Sequence, residues 1–116
     1  MKVVSLDQVT RTKVDMEGAE KVSKQVPVGQ SDGSPNFSIR VFSIEPDGHT
    51  PYHRHPSEHL NYVIEGHGAL VTESGDEQKI EKGDFALVLP NEKHQYRNRS
   101  KDERLVMICA VPKDYE

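Results

Sequence analysis

Gly48-His49-Thr50-Pro51-Tyr52-His53-Arg54-His55-Pro56-Ser57-Glu58-His59-Leu60-Asn61-Tyr62-Val63-Ile64-Glu65-Gly66 is the stretch whose reading decides the fold. It carries four of the six histidines and then turns into an alternating apolar run. In an extended chain, residues two apart point to the same side, so the imidazoles of His53 and His55 face one way. By the same parity His59, Asn61 and Val63 share one face, Leu60, Tyr62 and Ile64 the other, and Glu58 points away from His59. Imidazole is the commonest metal ligand near neutral pH, being largely uncharged there with a ring nitrogen free. Alone, an H-x-H pair is more often surface or hydrogen-bonded histidine. Here His59 follows across the Pro56-Ser57 turn, and His94 stands at the mouth of a later strand, behind Pro90-Asn91-Glu92-Lys93. Three clustered imidazoles and a remote fourth are how a metal site is assembled inside a barrel.

Outward from this stretch the chain reads as short strands between turns. Lys21 to Val28 sets Val22, Val26 and Val28 on one face. A Gly- and Pro-broken turn follows, and Phe37 to Ile44 is the next strand, ended by Pro46-Asp47-Gly48. Further strands are expected at Tyr52 to His55, His59 to Glu65, Ala69 to Thr72, Gln78 to Ile80, Phe85 to Leu89, Gln95 to Asn98 and Leu105 to Val111. Ser74-Gly75-Asp76 is a hairpin turn and Gly83-Asp84 a tight corner. Leu105 to Ala110 is apolar on both faces, which predicts a central strand. Helical spacing is weak and confined to Leu6 to Val14. Many short strands with regular turn signals indicate an all-β sandwich or antiparallel barrel.

The composition agrees. Leu, Ile, Val and Phe supply 27 of 116 residues, which argues against disorder, and Val, branched at Cβ, leads them. The length suits one domain, 1–116, with one core. A net charge of -4 with interspersed signs offers no basic stripe, so neither nucleic acid nor an anionic membrane is an expected partner. The single Cys109 excludes an internal disulfide, and no apolar run suggests a signal peptide or membrane span, so the expected location is cytoplasmic.

The histidine pattern resembles the cupins. Their first motif, Gly, H-x-H, three residues, usually Glu, six residues and Gly, is similar to Gly48 through Gly66. Their second, Gly, a Pro-containing turn, His, three residues and Asn, is similar to Gly83 through Pro90 and His94 to Asn98. The gap from Gly48 to His53 is one residue short, and Glu92 replaces the usual turn glycine. His59 stands where the carboxylate ligand usually is. The resemblance implies a double-stranded β-helix (jelly-roll) barrel with motifs at 48–66 and 83–98, and a divalent metal on His53, His55, His59 and His94. It also ranks Mn²⁺ or Fe²⁺ first, as in small single-domain manganese cupins, and implies a homodimer. Imidazole also suits Zn²⁺, Ni²⁺, Co²⁺ and Cu²⁺.

Three His and one Glu around a divalent ion leave about +1, whereas four neutral His leave about +2, a stronger Lewis acid with more hold on anions. Two classes of function stay open. One is a mononuclear oxidoreductase of dioxygenase type acting on a small organic, possibly anionic, substrate, or a metal-dependent isomerase. The other is a non-catalytic binder, or a barrel whose metal is structural. His49 and His67 are expected in solvated loops and Arg40 at the surface, where its charge would interrupt an apolar strand harmlessly. Turned inward, Arg40 would be an anion clamp. Tyr96 shares parity with His94, and Met107 shares a face with Cys109; core packing is the plain reading of each. Leu60, Tyr62 and Ile64 are the candidate apolar row for a dimer interface.

Overall fold

A computed structural model describes all 116 residues. Nine strands, β1 (Thr12–Lys13), β2 (Glu20–Val28), β3 (Phe37–His49), β4 (His59–Glu65), β5 (His67–Val71), β6 (Glu77–Glu81), β7 (Phe85–Val88), β8 (Gln95–Arg97) and β9 (Leu105–Pro112), form one sheet. Every pairing in it is antiparallel. The path runs β6-β5-β8-β3-β9-β4-β7, with β2 on the other side of β3 and β1 beyond it. The sheet curls on itself into the expected jelly-roll barrel. No helix is long and apolar enough to cross a membrane.

β9 is the central strand its two-sided apolarity predicted, lying between β3 and β4. Its register defines the barrel's two surfaces. Arg40, Cys109 and Asn61 lie opposite one another across β3, β9 and β4, as do Phe42, Met107 and Val63. These rows face inward, with a core of Val22, Ile44, Val63, Ile80, Tyr96, Leu105 and Met107. On the outer face Ile39, Ala110, Leu60 and Leu87 form one cross-strand row, and Val41, Ile108, Tyr62 and Phe85 the next.

Four local expectations are corrected. Residues 6–14 form a single 3-10 turn, Leu6–Gln8, then β1, without a regular helix. β3 does not end at Pro46-Asp47-Gly48 but runs on to His49. Asp47 takes φ 65°, and the register against β2 slips from Val22↔Ile44 to Glu20↔His49, so these residues make a bulge. In β2 a second slip, around Pro27, separates Val28 from Val22: Val22 pairs with inward Ile44, Val28 with outward Ile39. Tyr52 to His55 is not a strand, since only His53 makes a ladder contact, an isolated bridge to His94.

Candidate metal centre

His53 and His94 are mounted on each other. The His53 N–H donates to the His94 carbonyl at 3.1 Å, and the His94 N–H to the His53 carbonyl at 2.9 Å, which holds their rings 5.2 Å apart. The Asn91 N–H donates to the His55 carbonyl at 2.7 Å, tying the H-x-H segment to the turn before His94. One ring nitrogen from each of His53, His55 and His94 lies within 4.8 Å of the others, near enough to share one ion.

Two further observations fit a metal. His94 Nδ1 lies 2.8 Å from the Glu92 carbonyl, a contact that requires the proton on Nδ1 and leaves the Nε2 lone pair free. His55 is buried with both ring nitrogens lacking any hydrogen-bond partner. A buried polar atom without a partner costs about 1–3 kcal/mol, so an imidazole left in this state points to a ligand it binds.

The structure therefore gathers three of the four expected histidines. His59, at the start of β4, is packed against them, its ring 4.4 Å from that of His55 and 5.4 Å from that of His94. Its Nε2, however, lies 3.3 Å from Arg40 Nη2. Glu58 is exposed, as the parity of the run requires. Neither His49 nor His67 sits in a loop: His49 ends β3 beside Thr50 and Gln95, and His67 opens β5 with Nε2 3.5 Å from Glu103.

Electrostatics keep the cluster neutral. Burial, helped by the charges of His94, His55 and Arg40, pushes His53 down to about 4. Burial and then Arg40 push His59 down to about 2. His55 and His94 are lowered as well, chiefly by burial. All four imidazoles are thus unprotonated at neutral pH, as ligation demands.

His53, His59 and His94 also line a cavity of about 270 Å³, together with Val22, Phe42, Met107 and Cys109. Tyr96 also lines it, and its phenol donates to Asn61 Oδ1 at 2.8 Å. Burial raises the Tyr96 phenol far above the ordinary tyrosine range, so it stays protonated and keeps its proton for Asn61. Three lining residues escaped sequence reasoning. Val14 and Met16 reach the cavity from the segment before β2. Tyr115, in the last 3-10 turn, sets its ring 4.5 Å from His55. Arg40, expected at the surface, is 5% exposed and lines the cavity. Its place in the inward row beside Cys109 and Asn61 dictates this.

Residues 40–111 match the family model described as the cupin domain. No curated protein matches the chain in sequence. Among solved structures, the polyketide cyclase RemF from Streptomyces resistomycificus is 26% identical with a TM-score of 0.91, over 97% of this chain and 79% of that one. A predicted oxalate decarboxylase from Thermotoga maritima is 17% identical, TM-score 0.83, covering 97% and 99%. Ectoine synthase from P. lautus is 23% identical, TM-score 0.76, covering 97% and 78%. The last two show the shared fold alone.

Proposed function

Because the chain belongs to the cupin domain family, we propose that it is a mononuclear metal-dependent enzyme acting on a small oxygen-bearing organic molecule. The observation that carries this is His55, buried with both ring nitrogens unpartnered, converging with His53 and His94, the latter two of which also line a largely apolar cavity. We assign His59 as the fourth donor, because its neutral ring packs directly on the cluster. Mn²⁺ or Fe²⁺ is the preferred occupant. A divalent ion held there supplies Lewis acidity toward a carbonyl or enolate oxygen.

The chain's own residues do the rest. Val22, Phe42 and Met107 exclude water from the bound molecule, which strengthens every charge interaction in the site. The Tyr96–Asn61 pair holds the inner wall in one arrangement. Arg40 adds a fixed positive charge beside His59. Such a site suits chemistry in which negative charge develops on a substrate oxygen, and the likeness to a polyketide cyclase favours ring closure or isomerisation of a polycarbonyl compound. The dioxygenase reading rests on the same cluster, since His53, His55, His59 and His94 would hold a redox-active ion that could supply chemistry toward O₂. The test is turnover of enolisable polycarbonyl compounds by metal-loaded protein with and without air. Turnover under argon supports the cyclase reading; turnover only with stoichiometric O₂ uptake supports the oxidoreductase; neither, across a broad panel, favours a binder. We further propose that two barrels pair through the outer face of β3, β9, β4 and β7, where Leu60 is 54% and Phe85 81% exposed.

A further inference from the structure

Arg40 is a buried cation without an anion. It takes part in none of the molecule's ion pairs. A guanidinium carries five N–H donors. Those of Arg40 meet three acceptors, none charged: the Tyr115 carbonyl at 3.4 Å, Cys109 Sγ at 3.1 Å and His59 Nε2 at 3.3 Å. Thiol sulfur is a weak acceptor, and His59 Nε2 is lost as one whenever it binds a metal. The Nε–H of Arg40 has no partner at all. The carboxylate lining the cavity, Glu116, is already engaged by Ser38 Oγ at 2.5 Å and the Gln30 N–H at 2.8 Å. A second cation on the lining, Lys24, donates to the Glu116 main-chain oxygen at 3.1 Å. A charge removed from water and left unpaired is costly, and a bound anion would relieve that cost.

The guanidinium is also held in place. Its carbon lies 4.8 Å from the Phe42 ring centre and 5.5 Å from that of Tyr115. Stacking of this kind orders the planar fork in advance, so little freedom is lost when a two-oxygen anion meets it. The aromatic and aliphatic walls beside it offer a planar molecule contact but few hydrogen bonds.

We propose that Arg40 is an anion-binding residue of the cavity, and that its ligand is a small planar molecule bearing a delocalised oxygen anion, carboxylate or enolate, on an apolar body. This names the substrate class of the metal enzyme above and rests on that reading for its catalytic use, though not for binding itself.

The probes are benzoate and its neutral isostere benzamide, titrated calorimetrically into the full chain as purified and after chelation, with metal content measured in parallel. Acetate tests the need for the apolar body. Wild type should prefer benzoate to benzamide by tenfold or more in both forms, and to acetate by a similar factor. Arg40→Gln should reduce the benzoate preference to within twofold at unchanged metal content. Arg40→Lys, which keeps the charge and guards against a folding defect, should keep part of it. No benzoate preference in wild type, or one that survives in Arg40→Gln, overturns the proposal. So does a preference that disappears on chelation or falls only in step with metal content, because the anion then belongs to the metal and the metal-enzyme reading stands without Arg40. A benzoate preference that depends on Arg40 in protein that never takes up metal keeps the anion site and removes the enzyme reading.

Discussion

Tyr96→Phe removes one oxygen from the wall of the cavity and nothing else. The lost bond, from the Tyr96 hydroxyl to Asn61 Oδ1 at 2.8 Å, joins two residues that are both 4% exposed. Asn61 keeps only a long contact from Nδ2 to the Ile108 carbonyl, at 3.4 Å, so its Oδ1 is left buried with no donor. An orphaned buried acceptor costs about 1–3 kcal/mol. With an unfolding entropy of about 2.1 cal/mol/K per residue, this chain should lose roughly 4–12 °C in Tm. Removing both partners, as Tyr96→Phe with Asn61→Leu, should recover part of the loss, since neither polar atom is then stranded. Thermal unfolding by circular dichroism reads the effect, with metal content measured alongside. A Tm change below about 2 °C would refute the reasoning, as would a double variant less stable than the two single losses added together.

Three other outcomes are expected. The metal-free chain should lose stability as pH falls from about 6.5 toward 4, because the unfolded histidines bind protons there while His53, held down to about 4, does not; Tm against pH after chelation checks the sign, and a flat profile contradicts it. Gly66→Ala should destabilise by at least about 1–3 kcal/mol from backbone strain alone, since Gly66 has φ 81° and a Cβ there would stand 2.1 Å from the Arg104 carbonyl oxygen; denaturant unfolding measures it. In light scattering the wild type should be a dimer at micromolar concentration and Leu60→Glu a monomer, and a wild-type monomer removes the proposed interface.

Much of this was legible because alternation is a strong signal wherever one face of a strand is polar. Alternation puts His59, Asn61 and Val63 on one face, and the structure places all three inward. The two-sided apolarity of Leu105 to Ala110 likewise located the central strand. Parity failed where both faces are apolar. On β3, Ile39 and Val41 oppose Phe42 and Ile44, so nothing local told which side Arg40 would take; pairing with Cys109 settles it. The bulge at Asp47 was hidden because Pro and Gly signal a turn whether or not the ladder resumes beyond it. Tyr52 to His55 has the residue types of a strand, but its partner bonds exist only at His53. Tyr115 lies in a terminal turn with no period to read, and only the closed fold brings it to the histidines.

The central claim, one divalent ion per chain on His53, His55, His59 and His94, is tested most directly by elemental analysis of the purified protein and of single His→Ala variants. The expected result is close to one equivalent in wild type, a clear loss in each of those four variants, and no change in His49→Ala, His67→Ala or Glu58→Ala. Wild type free of bound metal under metal-replete expression would contradict the claim outright. Full retention in His59→Ala with loss in Glu58→Ala would contradict the assignment of the fourth ligand.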